Sequence, residues 1–246
     1  MKKLALTLLV AAVAASAAGQ SLITTTPRRQ YGYSERDGFR IGPRYSNYST
    51  DVDVEFLTVE SGRQHSIGLV GDYRSGVFVL DFLYDHDPEN GLSLTDLLPI
   101  EFGRYSRDRG ELMVGWSAAP MLDLQGGFRM DKFSVGGRVF GGGLFDGEDF
   151  DHNAIAAGVH VHTPTDRPFR LYGIVRGYAG SVDFGGRNFE SQVDSTGWRV
   201  EGGVEIPIGD SNWRAVPGVE FERIDAQPRL QTDTNRFFVN FIYKMN

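Results

Sequence analysis

Five histidines and several acidic runs carry the side chains of this chain that are suited to catalysis or metal binding. No cysteine occurs among the 246 residues, so neither a thiolate nucleophile nor a thiolate metal site can form. His65 stands beside Ser66, but adjacent residues of a strand point to opposite faces, so these side chains cannot partner each other directly. His86 lies in an Asp-His-Asp run at the end of a predicted strand, where an exposed catalytic site is one hypothesis.

Metal binding is the second chemistry to consider. His160 and His162 lie two residues apart on one face of a predicted strand, which suits paired ligation, but the sequence offers no third ligand beside them. Residues 145–153 are dense in carboxylates and residues 85–90 form a second acidic run, yet the first lacks the spacing and final Glu of an EF-hand. We therefore predict no catalytic residue, no metal site and no cofactor, and expect solvated acidic loops, with divalent cations at these loops as the alternative.

The charge balance excludes one class of partner. The chain has 25 Lys or Arg against 32 Asp or Glu, for a formal net charge of -7. An acidic protein offers no basic patch that displaces counterions from phosphates, so we exclude nucleic acid as a partner.

The first residues resemble an export signal. A basic start at Met1-Lys2-Lys3 precedes an apolar stretch that ends at Ala15, and Ser16-Ala17-Ala18 supplies small residues for cleavage. We assign residues 1–18 to a signal peptide, 19–36 to a flexible segment, and 37–246 to a folded domain.

Period-two alternation dominates that domain. In its clearest strands one face is apolar and the other is mostly Arg, Glu, Gly or Asn, which predicts an all-β protein. Four segments show this most plainly: 169–176, 198–206, 213–222 and 236–243. Alternation alone fits a soluble sandwich or barrel as well as a transmembrane barrel, so other features must decide.

The spacing of turns favours the transmembrane barrel. Short turns predicted at 74–76, 107–110, 131–132, 163–168 and 209–212 fall on the side of both termini, and the longer connections fall opposite, with 117–120 as the exception. This asymmetry predicts an antiparallel barrel of about 12 strands, with 10 as the alternative. The predicted strands are 37–48, 64–73, 77–86, 98–106, 110–118, 121–131, 133–142, 153–162, 169–179, 197–207, 213–223 and 236–246.

Aromatic residues near strand ends support the same fold. They lie on the predicted apolar face as a belt at the two membrane interfaces would: Phe39, Tyr45, Tyr73, Tyr84, Trp116, Phe133, Phe169, Trp198, Trp213, Phe221, Phe237 and Tyr243.

At the C-terminus Phe237, Val239, Phe241 and Tyr243 alternate along the last strand. In this the chain resembles the Gram-negative outer-membrane β-barrel superfamily, whose terminal strand carries alternating hydrophobics and a near-terminal aromatic. The resemblance implies location in the outer membrane, contact with its lipid, and insertion by the barrel-insertion machinery. It names no specific family.

If the apolar face meets lipid, the charged face lines the lumen. We predict as lumen-lining Arg129, Arg138, Arg170, Arg176, Arg199, Glu201, Glu205, Arg214, Glu220 and Glu222. Charges of both signs in a narrow space will pair, because an isolated buried charge is costly. The pairs either fill the barrel or line a narrow pore.

The favoured function is a narrow, porin-like channel for small polar solutes, without enzymatic activity. One alternative is a non-conducting structural or adhesion barrel that presents acidic surface loops, and a second is a lipid-modifying enzyme with a site at the barrel rim. Residues 91–100 are unusually apolar for a connection, so we expect a short helix that folds over or into the barrel, or a contact for a partner.

Overall fold

The computed structural model describes residues 38–54, 57–60, 63–95, 98–139, 142–163, 169–186, 189–226 and 230–245. The predicted signal peptide and flexible segment, 1–18 and 19–36, lie outside the described residues. Within the described residues, no helix is long and apolar enough to cross a membrane. The strands are β1 (Gly38–Val54), β2 (Leu57–Glu60), β3 (Gln64–Ser75), β4 (Phe78–Thr95), β5 (Leu98–Ala119), β6 (Leu122–Val139), β7 (Gly142–His162), β8 (Arg170–Gly186), β9 (Phe189–Pro207), β10 (Trp213–Ala226) and β11 (Leu230–Lys244).

Ten of these strands close into an antiparallel barrel. From β3 to β11 each strand pairs with the next one in the chain, and β1 pairs with β3 on one side and β11 on the other. The closing pair runs from Arg40↔Lys244 to Asp53↔Gln231, so the barrel has no open edge. The short β2 lies outside this circle, where it pairs with the end of β1 and meets β4 at Ser93.

The barrel has the alternative strand count of ten, and the count of twelve is wrong. The predicted turns at 107–110 and 131–132 lie inside β5 and β6, which pair without a break from Ser106↔Ser134 to Ser117↔Asp123. Asp108, Gly110 and Asp131 suggested turns there because Asp and Gly are residues that turns prefer, and their charged neighbours suggested exposure. In this barrel Arg107 and Arg109 belong to the core, where they are almost completely buried.

The short connections lie on the side where β1 begins and β11 ends. They join β3 to β4, β5 to β6, β7 to β8 and β9 to β10, and Gly76 and Gly209 supply left-handed conformations with φ of 58° in two of them. Because β5 and β6 are unbroken, the connection after Ala119, predicted as the exception, lies on this side too. We call this side the turn end.

In the part of the chain that the structure describes, the opposite end is built from paired strands rather than long loops. The hairpin of β4 and β5 stays paired up to Thr95↔Leu98, and that of β8 and β9 up to Gly186↔Phe189. Residues 91–95 and 98–100 are therefore strand, which corrects the expectation of a helix in 91–100. The side chains of this segment lie outside the described part of the chain.

The outward face changes character at one level around the barrel. Between the turn end and this level, the outward residues of the described strands are almost all apolar, aromatic or Gly, as in Leu112, Val114 and Trp116 on β5. We call this zone the apolar belt. It ends at a polar ring formed by the first polar outward residue of each strand: Asn47, His65, His86, Asp108, Lys132, Asn153, Ser181, Thr196, Arg223 and Asn235.

The height of the apolar belt suits a membrane. On β5 it spans the nine residues from Trp116 to Asp108, or roughly 20 Å along the barrel axis at the usual rise and tilt of barrel strands. A soluble barrel would have its apolar face inside, whereas here the apolar face is outside and the charged face inside. The fold is thus a transmembrane β-barrel.

The prediction is wrong for one aromatic residue of the belt. Phe133 points inward and is only 5% exposed, because β6 continues through the position where a turn was expected. Tyr45, Tyr84 and Trp198 do face outward, just on the turn-end side of the polar ring.

Candidate functional site: the charged interior of the barrel

The interior of the barrel is built from ionised side chains. Among the described side chains, nine arginines and ten carboxylates are buried, together with three histidines, and no buried lysine accompanies them. Arginine suits this setting because its planar fork binds a carboxylate through two parallel hydrogen bonds. The near balance of charge satisfies the requirement that buried ions be paired.

Halfway along the barrel, nine of these residues form what we call the central ion-pair layer: Arg44, Asp85, Arg107, Arg109, Arg129, Asp131, Glu220, Glu222 and Arg236. Each is at most 3% exposed. They come from β1, β4, β5, β6, β10 and β11, because each strand presents alternate residues to the interior.

Ion pairs of the central ion-pair layer cross the full width of the lumen. Arg109 on β5 donates from Nη1 to Glu220 Oε1 of β10 at 2.6 Å, and four strands separate β5 from β10 in either direction around the barrel. Arg107, also on β5, reaches Glu222 of β10 with an Nη2 to Oε1 distance of 2.7 Å. These contacts tie opposite walls together.

Neighbouring contacts complete the central ion-pair layer. Arg129 bridges Asp131 and Glu222 at 2.6 and 2.7 Å. Asp85 accepts from Arg109 Nη2 at 2.5 Å and from Arg236 Nη1 at 2.8 Å. Every carboxylate of the layer is therefore in contact with at least two arginines.

Four arginines of the layer also lie over aromatic rings. Arg44 lies 4.0 Å from the ring centre of Phe238, and Arg129 lies 4.4 Å from that of Tyr178. Arg107 lies 4.7 Å from the ring centre of Phe133. Phe133, which was predicted to face lipid, therefore packs against a buried arginine inside the barrel. The rings fill the space between guanidinium groups and add cation–π attraction.

A second cluster lies nearer the turn end. Glu111 contacts Arg176 and Arg199 and accepts a hydrogen bond from Tyr178 Oη at 3.0 Å. Arg176 also donates from Nη2 to Gln125 Oε1 at 3.0 Å. Glu111 stands on β5, Arg176 on β8 and Arg199 on β9, so this cluster also bridges well-separated walls.

Between this cluster and the turn end the interior widens into a cavity of about 90 Å³, which we call the vestibule. At its mouth Arg40 pairs with Asp72 at 2.8 Å and with Glu205 at 3.2 Å, and these side chains are 10 to 15% exposed. Arg214 also reaches Glu205 at 3.2 Å and is 42% exposed. Access to the vestibule is therefore from the turn end.

The predicted lumen residues fall into these three zones. Arg129, Glu220 and Glu222 lie in the central ion-pair layer, Arg176 and Arg199 meet at Glu111, and Arg170, Glu201 and Glu205 line the vestibule. Arg214 lies at the mouth. The side chain of Arg138 is outside the described part of the chain.

Sequence reasoning missed several members of the central ion-pair layer. Arg107, Arg109 and Asp131 were assigned to turns, and Asp85 to an acidic loop, although all are buried. Continuous alternation through β5 was the usable signal, because Arg107, Arg109 and Glu111 share one face with Met113.

The histidines occupy two different surroundings. His160 and His162 both lie near Asp123, at 3.6 and 3.7 Å, but Arg74 already donates to that carboxylate at 2.8 Å. The described residues contain no group of three or more possible metal ligands. His86 faces outward in the polar ring and contacts Asp108 at 2.7 Å.

Comparison with solved structures identifies the same architecture in outer-membrane proteins. The outer-membrane protease OmpT of Escherichia coli superposes with a TM-score of 0.53 at 9% identity, covering 91% of this chain and 100% of that one. The translocator domain of the autotransporter NalP from Neisseria meningitidis gives 0.48 at 12% identity over 96% and 98%. The TodX monoaromatic hydrocarbon channel gives 0.43 at 8% identity over 85% and 91%.

No protein-family model matches the sequence, and no curated protein matches it either. The comparisons therefore establish the fold alone. They confirm, for the fold, the resemblance to outer-membrane β-barrels that the terminal strand predicted. The function of this chain has to be argued from its own interior and surface.

Proposed function

We propose that the protein is an outer-membrane barrel with a sealed interior, which holds a rigid acidic extension at the cell surface. The observation that carries this proposal is the central ion-pair layer. Arg109 and Glu220 meet across the full width of the lumen, and both are completely buried. A wall-to-wall ion pair that excludes solvent suits a structural core better than a conduction path.

Location in the outer membrane rests on three features taken together. The apolar belt is roughly 20 Å tall, close to the ~25 Å band of outer-membrane barrels, the fold is the one found in outer-membrane proteins, and residues 1–18 have the pattern of an export signal. Outer-membrane lipid and the barrel-insertion machinery are the partners that this location implies.

The surface extension consists of the strand segments beyond the polar ring. The sequence segments 47–65, 86–108, 132–153, 181–196 and 223–235 hold eighteen Asp or Glu against eight Lys or Arg. Its described hairpins are paired, and an inward apolar cluster of Val182, Ala226 and Leu230 packs against Val52 and Phe150. Where it is described, the extension is thus a folded continuation of the barrel, and its sequence is strongly acidic.

Carboxylates lie at the level where lipid headgroups begin. Asp108 stands in the polar ring. On β7, Asp151 and Asp149 face outward two and four residues beyond Asn153 of that ring. Divalent cations that bridge such carboxylates to lipid phosphates would anchor the extension to the outer leaflet. This anchoring is the function we propose for the acidic outward face.

A test of this role uses the protein in bilayers that contain lipopolysaccharide. Mg²⁺ should raise the unfolding temperature of the wild type, and the double variant Asp149→Asn/Asp151→Asn should lose a large part of that rise. Asp210→Asn, an exposed carboxylate at the turn end, is the matched control and should keep the rise in full. An equal Mg²⁺ response in all three proteins would contradict the proposal.

A narrow channel for small polar solutes is the second candidate, because the vestibule enters the lumen from the turn end. Conduction would require the central ion-pair layer to part. We propose no catalytic step: His152 is enclosed within the interior at 3.0 Å from Asp131, and His86 lies on the outward face.

A further inference from the structure

Two exposed histidines lie side by side in the polar ring. They are His65 of β3 and His86 of β4. The register pairs His86 with Ile67, two residues from His65, so the imidazoles are diagonal neighbours with Cα atoms ~7–8 Å apart. Among the ten residues of the polar ring, these are the only two basic side chains on adjacent strands.

Each imidazole is held through one nitrogen and presents the other. His65 Nδ1 lies 2.6 Å from Tyr45 Oη and 3.4 Å from Asn47 Nδ2. Since an amide nitrogen only donates, Nδ1 is the acceptor and the hydrogen of the neutral ring is on Nε2. His86 Nδ1 donates to Asp108 Oδ1 at 2.7 Å, because an ionised carboxylate only accepts. Within the described residues neither Nε2 atom has a hydrogen-bond partner, so His65 can donate there as it stands and His86 once it is protonated.

An apolar seat adjoins the two imidazoles. Ile67 pairs with Tyr45 of β1 and with His86 of β4, and His65 precedes it by two residues on β3. Ile67 is nevertheless 66% exposed, and Leu69, next toward the turn end on the same face, is 41% exposed. The two imidazoles bond to β1 and β5, on opposite sides of Ile67. We call this seat, formed by Ile67, Tyr45, His65 and His86, the headgroup notch.

Depth identifies what occupies the headgroup notch. Ile67 and Leu69 belong to the apolar belt, where alkyl chains lie, and the two histidines stand where headgroups begin. Arg63, two residues farther from the belt than His65, is exposed and forms no ion pair with any described residue. A phosphate accepts hydrogen bonds from imidazole and guanidinium groups alike, and such charge-assisted bonds are the strong ones. An apolar floor below donors of this kind suits a lipid rather than a free anion.

We propose that the headgroup notch binds one phosphate-bearing lipid of the outer leaflet, with its phosphate at His65, His86 and Arg63 and an alkyl chain over Ile67. The inference rests on the outer-membrane location proposed above, but it needs no divalent cation, because the contacts are direct. Other titratable or charged groups surround the two imidazoles: Tyr45 from β1, Tyr84 from β4, Asp108 from β5 and, beyond it, Lys132 from β6. Histidine is the residue type whose charge changes between about pH 5 and 8, so lipid binding should strengthen as the pH falls across that range.

The test is native mass spectrometry of the full refolded protein in uncharged detergent with EDTA. It is titrated with dilauroyl phosphatidic acid and separately with dilauroylglycerol, which lacks the phosphate. We expect one phosphatidic acid to bind in preference, more tightly at pH 6 than at pH 8. His65→Gln/His86→Gln should weaken this binding about threefold to tenfold at pH 6, as expected for two exposed ionic contacts, and remove most of the pH dependence. Arg223→Gln removes a positive charge from the polar ring on β10 and is the matched control, with an expected change of less than about twofold.

The substituted side chains face outward, and heat-modifiable migration on a gel shows that each variant is a folded barrel. Equal binding of the two lipids would overturn the phosphate site, and an equal loss in the Arg223 control would reduce it to general charge attraction. Displacement of the lipid by an equal concentration of inorganic phosphate would overturn its assignment to a lipid. Asp149→Asn/Asp151→Asn should bind phosphatidic acid as the wild type does, because EDTA removes the cations on which the proposed anchoring depends. The two proposals can therefore fail separately.

Discussion

Glu220 illustrates what replaces a hydrophobic core in this barrel. Its carboxylate lies 2.6 Å from Arg109, 2.9 Å from Arg44 and 3.5 Å from Arg236, and the residue is completely buried. Removing one partner from such a group leaves buried charge uncompensated, which costs more than the original pair contributes. Single residues of the central ion-pair layer should therefore matter strongly for stability.

Glu220→Gln keeps the shape of the side chain and removes its charge. We expect the free energy of unfolding to fall by about 3–5 kcal/mol, the usual cost of breaking a buried ion pair from one side. Urea unfolding of the protein in lipid vesicles measures this. Asp149→Asn, whose partner Lys132 is 3.9 Å away and whose side chain is 52% exposed, should cost less than about 1 kcal/mol. Equal effects of the two substitutions would contradict the role assigned to the layer.

The inward positions could be predicted wherever alternation was uninterrupted. Glu220 and Glu222 alternate with Val219 and Phe221 on β10, and the structure has them on opposite faces. Arg107 and Arg109 were not predicted to point inward, because a charged stretch that contains Asp108 and ends at Gly110 also fits a turn. Single-residue preference cannot separate a turn from the core of a barrel that is charged inside.

At the scale of strands, the outward face carries the information about the membrane. On β5 the apolar residues Leu112, Val114 and Trp116 are followed by Asp108 at the polar ring, four residues from Leu112. The same change occurs on the neighbouring strands, so the belt has a defined edge. Substitutions on one strand should therefore differ in cost according to depth.

Leu112→Arg puts a cation in the apolar belt. We expect a loss of about 2–4 kcal/mol in the free energy of unfolding from lipid bilayers, the range for a cation near the middle of a barrel's lipid face. Asp108→Arg, on the same strand and face, should cost about 0–1 kcal/mol, because it lies at the polar ring. Urea titration in vesicles gives both values. A cost that did not depend on depth would mean that the belt does not face lipid.

The number of strands was the property of the fold that the sequence predicted least well. The runs now known as β5 and β6 are 22 and 18 residues long, about twice the length that crosses a bilayer, so each resembled two strands. The excess length lies in the surface extension beyond the polar ring. Dividing the sequence into segments of bilayer-spanning length therefore overestimates the number of strands in a barrel whose strands continue outside the membrane.

At the scale of the whole molecule, the fold class and its orientation of faces followed from alternation, turn spacing and the terminal strand. Closure of the lumen did not follow, because it depends on which charges meet across the barrel. Arg109 and Glu220 are 111 residues apart in sequence and belong to opposite walls. A pair of this kind is fixed by the register of all the intervening strands, which no local pattern contains.

Single-channel recording of the refolded barrel in planar bilayers tests the sealed interior most directly. The wild type should give no resolved conductance steps, while the double variant Arg109→Ala/Glu220→Ala, which removes a pair that joins opposite walls, should give stable steps. Heat-modifiable migration on a gel shows that both proteins are folded barrels. Stable ohmic steps from the folded wild type, as large as those of the double variant, would contradict a sealed interior and favour the channel.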